Sequence, residues 1–350
     1  MKPVRFLFYN PPHRLGEYYF RIRIFMEYLD SQNIPYSVYL FPHKGRSVWQ
    51  IPGFIATMII RLWGATHVVT CPSPKMLFRM LLFKLMGKKV LIEHYVSYVT
   101  HKEVHPFLPV IFDRMSYRLA DYVLTHTETM KKEISSTLKY PPARIETVYC
   151  SVHNELFHPP SPDEKSKIKG DAGLGGKFIV LYHGMYHPWH GWTYLLEAAE
   201  QLKNEAGIHF IFIPNETFKN TNNMSFFEEQ KYDRLPKFVA MADLWCSGFD
   251  NHPRGDRSLS STMLQALLTA VPVLTSPNPE KSRFLKDSET AFFVPPRDTQ
   301  SIAEKILWCF HNRSLAEQVG QAGYRMASKT FHTEHYHSVY GRFLRRQADA

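Results

Sequence analysis

Residues 178–205, FIVLYHGMYHPWHGWTYLLEAAEQLKNE, contain the pattern that decides the fold of this chain. The apolar run Phe178–Tyr182 predicts a buried strand. The stretch that follows, up to Gly191, holds two glycines and a proline and therefore predicts a loop. Trp192–Glu205 has apolar residues at helical spacing, so it predicts a helix. A strand, a loop and a helix in this order are typical of parallel-sheet proteins.

The same alternation continues on both sides of this stretch. Further strands are predicted at Val4–Tyr9, Tyr36–Phe41, His67–Thr70, Val90–Ile92, Tyr122–Thr125, Ile145–Tyr149, His209–Ile213, Leu244–Cys246, Val273–Thr275 and Ala291–Val294. Further helices are predicted at Tyr18–Ser31, Lys75–Met86, Ser260–Thr269 and Thr299–Asn312. Strands that alternate with helices twice over predict an α/β chain with two Rossmann-like parallel-sheet domains.

A change in composition separates the two halves. Residues 158–176 contain three prolines, four glycines and several charges, so 161–176 is interpreted as a linker. The domains are then 1–160 and 177–330, and 331–350 is interpreted as a C-terminal helix that packs back on the first domain. Since ligands in such sheets bind at the carboxyl ends of the strands, we expect the site in a cleft between facing domains.

The bulk composition narrows the class of protein. Of the 350 residues, 44% are hydrophobic and 21% are charged, which excludes a disordered chain. The formal net charge of +10 favours anionic partners, namely nucleic acid, acidic lipid headgroups or phosphorylated substrates. Charge alone does not choose among them.

Cysteine usage and hydropathy predict a cytoplasmic location. The four cysteines are Cys71, Cys150, Cys246 and Cys309. They are widely spaced and form no C-x-x-C pair, which is typical of reduced thiols. The first residues do not predict a signal peptide, because Asn10-Pro11-Pro12 interrupts the short apolar run. No apolar stretch approaches the ~20 residues that a membrane-spanning helix requires.

The loop after Phe178–Tyr182 is the first candidate site. Gly184 and Gly191 allow the backbone to approach a ligand closely, and the next helix begins with free N–H groups that suit a phosphate. His190 could add a hydrogen-bond donor or a positive charge there. An ordinary connecting loop is an equally good interpretation of these residues alone.

A metal site is a further interpretation of the same loop. His183, His187 and His190 lie close together in the sequence. No carboxylate or cysteine joins them, and their spacing matches no standard metal-binding pattern, so we expect no metal here.

The second candidate is the segment GDRSLSSTMLQAL, residues 255–267. A glycine leads into hydroxyl residues at the start of an apolar helix, and these residues are Ser258, Ser260, Ser261 and Thr262. Their hydroxyls and the free N–H groups could hold a diphosphate, which Arg257 would neutralise. Gln265, one to two turns into the helix, could reach a ribose or sugar hydroxyl. The alternative is a well-capped helix without a ligand.

Two features of the first half are further candidates. His94 follows a predicted strand and could bind a sugar hydroxyl or assist proton transfer, although a lone histidine is more often structural. Lys75–Lys89 is apolar with basic residues, among them Lys75, Arg79 and Lys84. A basic amphipathic helix could lie on an anionic membrane, and a core helix with a basic edge is the alternative.

Taken together, these segments resemble the retaining glycosyltransferases of family 4, which have the GT-B fold. The resemblance is strongest over residues 178 to about 340. The segments that carry it are Val180–Gly191, Leu195–Ala198, Leu235–Leu244, Met263–Leu274 and Thr290–Asp298. Weaker matches in the first half are Gly16-Glu17, His94, Ala120–Val123 and Asn154–Pro159, and Phe331–Arg345 resembles the family's terminal helix.

The resemblance implies a set of donor-binding positions. They are Gly16, Gly184, Met185, His190, Gly191, Arg257, Ser258, Ser260, Ser261, Thr262 and Gln265. Met185 and His190 stand where the family usually has arginine and lysine. The family's two glutamates, eight positions apart, fall at Arg257 and Gln265. Asp256, displaced by one position, could serve as the first carboxylate, with His94 as the other catalytic residue.

The implied activity is transfer of a sugar from a nucleotide-sugar to a glycan or lipid-linked acceptor in cell-surface polysaccharide or glycoconjugate synthesis. The nucleotide-sugar would be a co-substrate, and no other cofactor and no metal is implied. The protein would be cytoplasmic, or peripheral at the inner face of the membrane. An inactive homologue that acts as a scaffold subunit is the first alternative. A nucleic-acid-binding protein is the second, but the sequence has no signature of one.

Overall fold

The computed structural model describes residues 5–9, 17–39, 51–72, 76–94, 110–150, 152–214, 218–253, 255–331 and 333–348. The chain forms two compact units. The first consists of Met1–Tyr149 together with Tyr336–Ala350, and the second of Cys150–His335.

The first unit is built on a parallel six-stranded sheet of order β2-β1-β3-β4-β5-β6. Its strands are β1 (Phe6–Tyr9), β2 (Tyr36–Tyr39), β3 (His67–Thr70), β4 (Lys89–His94), β5 (Tyr122–Thr125) and β6 (Ile145–Thr147). Its helices are α1 (Glu17–Ser31), α2 (Ile51–Gly64), α3 (Met76–Leu85), α4 (Val110–Arg118) and α5 (Glu128–Leu138). The central strands are buried at nearly every position because helices cover both faces of the sheet.

The last helix of the chain, α12 (Thr333–Ala348), packs on the first unit. Tyr336, Tyr340 and Phe343 enter the core that lies between α1 and the sheet. The ring of Tyr340 stacks on Phe25 of α1 with a centroid distance of 4.0 Å. One face of the first sheet is therefore completed by residues from the far end of the chain.

The second unit repeats the architecture, with a parallel sheet of order β12-β11-β10-β7-β8-β9. Its strands are β7 (Phe178–His183), β8 (Ile208–Ile213), β9 (Met224–Phe226), β10 (Leu244–Cys246), β11 (Val273–Thr275) and β12 (Phe292–Phe293). Its helices are α6 (Pro162–Asp171), α7 (Trp192–Gln201), α8 (Leu235–Met241), α9 (Ser261–Leu268), α10 (Thr299–His311) and α11 (Arg313–Thr330).

The predicted fold class is confirmed, since both sheets are parallel and alternate with helices. The ends of the predicted strands differ from the observed ones by at most two residues. The helix predicted at Trp192–Glu205 ends at Gln201, because the chain turns at Leu202 and Lys203. The short strand β9 was not predicted.

The linker predicted at 161–176 is wrong, because most of it is helix α6. The Ser161 hydroxyl accepts from the Glu164 N–H at 3.2 Å, and the Glu164 carboxylate accepts from the Ser161 N–H at 2.8 Å. Pro162 occupies the first helical turn, where its missing N–H has no cost. Proline and charge therefore mark a helix N-terminus here. The observed division between the units falls instead after Tyr149.

An ion-pair cluster fixes α6 to the second unit. Lys165 and Lys169 of α6 both pair with Asp243, and the Lys165–Asp243 distance is 2.8 Å. Burial alone would raise the pKa of Asp243, but the two ammonium groups outweigh burial and lower it. The same carboxylate accepts from the Ile179 N–H of β7 at 2.7 Å. The helix is thus part of the second unit rather than a connection between units.

Two expectations about the whole chain concern thiols and membrane spans. All four cysteines are buried and in the thiol form. Over the part of the chain that the structure describes, no helix has both the length and the apolar character that crossing a bilayer requires.

A buried ion pair joins α1 to the sheet of the first unit. The Arg21 guanidinium donates to the Glu93 carboxylate and to the Val148 carbonyl, and both charged side chains are almost fully buried. Burial raises the pKa of Glu93, while Arg21 lowers it in part. A buried pair of this kind adds little net stability, but loss of one partner leaves an uncompensated charge.

We expect Arg21→Met to lower the free energy of unfolding by about 3–5 kcal/mol at neutral pH, because Glu93 loses its counter-charge. Without Arg21 the pKa of Glu93 rises further, and a raised carboxyl pKa favours the folded state at low pH. The loss in the free energy of unfolding of Arg21→Met, relative to wild type, should therefore grow between pH 5 and pH 8 when it is measured by urea unfolding. Arg21→Met/Glu93→Gln should recover most of it. Arg23→Met, in an exposed pair on the same helix, is the control and should cost below about 1 kcal/mol.

Candidate functional site

The strand order of the second unit identifies one crevice at its sheet. The chain places β8 and β9 on one side of β7 and places β10, β11 and β12 on the other. The order therefore reverses between β7 and β10, and ligands of such sheets bind outside the carboxyl ends of the strands at this point. Strand β7 ends at His183 and continues into Gly184, and strand β10 is followed by Ser247-Gly248.

A chain of buried polar groups crosses this point. The Trp245 indole N–H of β10 donates to His183 Nδ1 at 3.1 Å, and His183 Nε2 donates to the Gln265 Oε1 of α9 at 2.7 Å. Burial lowers the pKa of His183 to about 4, and Gln265 offsets this only in part. His183 is therefore a neutral imidazole whose two nitrogens connect β10 to α9.

The loop after β7 has a defined shape. The His190 Nδ1–H donates to the Met185 carbonyl at 2.7 Å, and the Tyr182 hydroxyl donates to the same oxygen at 2.9 Å. The His190 carbonyl accepts from the Gly248 and Phe249 N–H groups. The loop is thus closed on itself through Met185 and attached to the segment that leaves β10.

Gly191 is required by close packing at the base of this loop. Its φ is +64°, and an added Cβ would lie 2.7 Å from the Asp250 nitrogen and from the Phe249 carbonyl carbon. Both neighbours are backbone atoms that cannot move aside easily. No residue with a side chain fits at this position without displacing the segment after β10.

His190 differs from the expectation of a positive charge. Burial lowers the pKa of His190 to about 4, and the neighbouring His187 and Lys281 lower it further, against the Met185 carbonyl, which raises it. The imidazole is therefore neutral near pH 7 in the absence of a ligand. Of the two roles that the sequence allowed, a hydrogen-bond donor or a positive charge, burial of the ring disfavours the charge in the absence of a ligand.

A cation that the sequence analysis missed lies beside this loop. Lys281 is buried, and its ammonium donates to the Thr275 hydroxyl at 2.6 Å and to the Ser276 carbonyl at 2.8 Å. An added Cβ at Gly248 would lie 2.7 Å from its Nζ. Lys281 occurs in a polar segment of the sequence, which gives no signal that the side chain turns inward.

The second predicted segment begins helix α9 and adjoins the first. Ser260 caps the helix, because its hydroxyl accepts from the Met263 N–H at 3.2 Å. An added Cβ at Gly184 would lie 3.7 Å from the Thr262 methyl group, and one at Gly255 would lie 3.1 Å from the Trp189 carbonyl. The structure therefore brings residues 184–191 and 255–265 together at the carboxyl edge of the sheet.

The remaining predicted residues of this segment line the approach to α9. Gly255–Arg257 forms a 3-10 turn, and the Ser258 hydroxyl donates to the Gly255 carbonyl at 3.2 Å. Asn278 holds the turn through its amide, which donates to the Gly255 and Ser258 carbonyls. Arg257 donates to the Pro253 carbonyl at 2.7 Å. The backbone of Asp256 lies in the turn, and its side chain is outside the described part of the structure.

Met185, Ser261 and Gln265 have different degrees of exposure. Met185 is 46% exposed, Ser261 is half-buried at the first position of α9, and Gln265 is 3% exposed. Within the residues described, nothing hydrogen-bonds to the Gln265 Nε2 amide group, so two donors remain. Gln265 is thus a buried member of the His183 chain and keeps an amide that could still meet a ligand.

Two of the histidines that suggested a metal site have protein partners. His183 uses both ring nitrogens on protein partners, and His190 uses Nδ1 on Met185. In the described ranges, no three histidine, cysteine or acidic side chains are placed to share a metal ion.

The candidates of the first unit have partners of their own. His94 ends β4, is 2% exposed and shares a hydrogen bond with the Tyr117 hydroxyl. The Arg79 guanidinium lies over the Tyr9 ring at 5.1 Å, and Lys84 pairs with Asp121 at 2.9 Å. Arg79 and Lys84 therefore both face neighbours in the first unit. Gly16 and Lys75 lie outside the described residues.

Comparison with known proteins places this arrangement in a family. Residues 164–326 match the sequence profile described as glycosyl transferases group 1. The matched range runs from α6 to α11 and includes every second-unit residue of the candidate site. No curated protein sequence matches the chain significantly.

Solved structures extend the similarity to the whole chain. HepE of Anabaena, in complex with UDP and glucose, is 15% identical with a TM-score of 0.76, covering 98% of this chain and 100% of HepE. Sucrose-phosphate synthase of Thermosynechococcus elongatus is 13% identical with a TM-score of 0.77, covering 99% of both chains. A glycosyltransferase of Rickettsia africae is 14% identical with a TM-score of 0.71, covering 98% of both.

These similarities show the fold over the full length and the family over the second unit. The chain has the GT-B fold, and its residues 164–326 are a domain of the glycosyl transferases group 1 family.

Proposed function

We propose that this protein transfers a sugar from a nucleotide-sugar to a glycan or lipid-linked acceptor in the synthesis of a cell-surface polysaccharide or glycoconjugate. The observation that carries the proposal is the meeting of the β7 loop and the start of α9 at the reversal point of the second sheet. The match of residues 164–326 to glycosyl transferases group 1 supports the same reaction class.

In this proposal the donor diphosphate lies between the β7 loop and α9. The free N–H groups at the start of α9 and the backbone at Gly184 meet the phosphate oxygens, and the helix dipole favours their charge. Ser261 adds a hydroxyl donor, and Arg257 adds a positive charge. The Ser258 and Thr262 hydroxyls would turn to the phosphates from the Gly255 carbonyl and the Ser260 hydroxyl, to which they donate in this structure. The Gln265 amide donates to a ribose hydroxyl, which a carboxamide can do without a charge.

The chemical step requires little from the protein beyond electrostatics. Negative charge gathers on the leaving diphosphate as the glycosidic bond breaks, and preorganised N–H groups and cations stabilise it. We propose that retention of configuration follows from attack on the face that the departing diphosphate leaves. His94 would orient the transferred sugar, Asp256 would take the part of the displaced carboxylate, and no metal ion would be required.

A uridine nucleotide is the first donor to test. HepE, which shares the fold, was solved with UDP and with UDP-glucose. A panel of UDP-, GDP- and ADP-sugars, read by calorimetric binding and by release of free nucleotide, tests the proposal directly. Binding with slow release of nucleotide supports a transferase. Absence of both would favour the scaffold subunit that shares only the fold.

Donor affinity should depend on pH through His190. A diphosphate beside the ring favours the imidazolium form, so binding raises the pKa of His190 from about 4. Affinity is then highest below the pKa of the free state, about 4, and falls as the pH rises from there to the higher pKa of the bound state. We expect tighter nucleotide-sugar binding at pH 5.5 than at pH 8, measured by titration calorimetry. His190→Gln should remove the difference, and an equal slope in wild type and variant would reject this role.

Arg257→Ala should weaken donor binding about 10-fold, because one charge-assisted contact is worth roughly 1.5–3 kcal/mol before solvent screening. The same titration at low and high salt should show that the variant is less sensitive to salt. Arg325→Ala, an exposed arginine of α11, is the matched control. An Arg257→Ala protein with wild-type affinity would exclude Arg257 from the donor site.

Gly191→Ala should destabilise the second unit and weaken donor binding together. The left-handed φ costs alanine about 1 kcal/mol, and the backbone overlap adds about 1–3 kcal/mol. Gly173→Ala is the control, since Gly173 has a φ of +69° with nothing within 4 Å of an added Cβ. Equal losses of stability in the two variants, measured by urea unfolding, would show that the overlap is relieved without cost.

A further inference from the structure

Exposed apolar side chains are concentrated on one part of the molecule. Fifteen large hydrophobic residues are exposed in the described part of the chain, and ten of them lie on α2, α3 and α4. The ten are Ile55, Ile59, Ile60 and Trp63 of α2, Phe78, Leu81 and Leu85 of α3, and Ile111, Phe112 and Met115 of α4. The other five are spread over the second unit. Scattered exposed residues are ordinary, but a concentration of this size indicates a contact surface.

The three helices form one layer on the first sheet. Their inward residues all belong to a single core, to which α2 contributes Met58 and Leu62, α3 contributes Met80 and Phe83, and α4 contributes Tyr117. The opposite face of the sheet is covered by α1 and α12. In addition, α3 and α4 pack against each other.

The outward residues follow helical spacing. Ile55, Ile59 and Trp63 repeat every four residues along α2, and Phe78, Leu81 and Leu85 recur at three and four along α3. Residues at these spacings lie on one side of a helix. The exposed apolar residues are therefore the outer side of the layer, and we call them the outer apolar face.

The sequence around α2 and α3 carries charge of one sign, whereas α4 contains Asp113 as well as Arg114 and Arg118. Residues 31–92 contain no aspartate or glutamate and eight lysines and arginines. Arg61 of α2 and Arg118 at the end of α4 are both exposed. Lys84 and Arg79, in contrast, have partners inside the unit. A basic, acid-free segment around an apolar surface is complementary to anionic lipid headgroups, since apolar insertion and charge attraction then add.

The lengths of α2 and α3 are compatible with helices that lie in the plane of a bilayer. Helix α2 has 14 residues and α3 has 10, and both are shorter than the ~20 residues that cross a bilayer. Trp63, which is 81% exposed, stands near the end of α2. Tryptophan is enriched at the boundary between headgroups and acyl chains.

We propose that the outer apolar face of α2, α3 and α4 inserts into the headgroup region of an anionic lipid bilayer. The apolar side chains supply the contact, and the basic residues around them select anionic lipid. This surface is defined by apolar side chains, whereas the membrane surface expected from the sequence was defined by the basic residues Lys75, Arg79 and Lys84. It stands apart from the proposed transfer reaction, because no donor residue belongs to it.

Vesicle flotation with the full chain tests the proposal without any donor. Vesicles of phosphatidylcholine alone and of phosphatidylcholine mixed with phosphatidylglycerol are compared at low and high salt. We expect partitioning into the anionic vesicles that high salt weakens but does not abolish, because part of the contact is apolar. Complete loss in high salt would overturn insertion and leave simple charge adsorption. Failure of the wild type to bind any vesicle would also overturn it.

A four-residue variant separates this face from other surfaces. Ile60, Trp63, Phe78 and Leu85 are 71%, 81%, 77% and 86% exposed, so their replacement by glutamine should leave the fold intact. Partitioning into anionic vesicles should fall at least 10-fold, about 1.4 kcal/mol. Trp308→Gln/Leu315→Gln, which changes exposed apolar residues of the second unit, is the matched control and should bind like wild type. Wild-type partitioning of the four-residue variant would overturn the proposal.

Two measurements make the outcome unambiguous. Circular dichroism melts of each variant show that a loss of vesicle binding is not a loss of folding. Sedimentation equilibrium tests the competing occupant, a second copy of this chain. A wild-type dimer that becomes monomeric in the four-residue variant, without vesicle binding by either, would assign the face to self-association and overturn the lipid proposal. Donor binding in the same variant should be unchanged, which separates this result from failure of the transfer proposal.

Discussion

The candidate site of the second unit depends on one imidazole. His183 ends β7, accepts from Trp245 of β10 and donates to Gln265 of α9. Because both ring nitrogens are used and the ring is buried, the tautomer and the orientation are fixed without a charge. The same contacts hold the start of α9 at the carboxyl end of β7. The β7 loop and the first turn of α9 therefore approach each other from a rigid base, as a site that binds a diphosphate through backbone groups requires.

The electrostatics of this region follow from enclosure more than from composition. His190 and His183 are neutral, whereas the buried Lys281 supplies a cation next to the segment that leaves β10. A region with neutral imidazoles and a buried cation can stabilise negative charge that develops within it. Among the described residues, Lys281 and Arg257 bring positive charge to this region, one buried in the loops and one at the turn before α9.

The sequence predicted the sheets well because their signal is local. Strands such as Phe178–His183 are buried on both faces and consist of apolar residues almost throughout, so the run itself is visible. Helix α6 was missed because the proline and the charges of its capped first turn are also typical of linkers. The glycines of the β7 loop and the hydroxyl residues of α9 could be singled out from the sequence because turn chemistry and capping are local as well.

The roles of His183 and Lys281 were not visible in the sequence, since they depend on which strands become neighbours. The orientation of Arg79 and Lys84 depends on which side of α3 packs on the sheet, and a helix that is apolar nearly all round does not reveal this.

The return of α12 to the first unit has a consequence for the order in which the chain folds during synthesis. Tyr336, Tyr340 and Phe343 complete the core between α1 and the sheet, and the ring of Tyr340 rests on Phe25. The ribosome therefore delivers every residue of the second unit before the first unit receives its last layer. Until then, the face of the first sheet that carries Phe6 and Phe8 lacks a cover over part of its area. The second unit, whose residues are continuous in the chain, has no such delay. A nascent chain would accordingly finish its C-terminal half first, and its N-terminal half would stay dependent on protection from aggregation for longer.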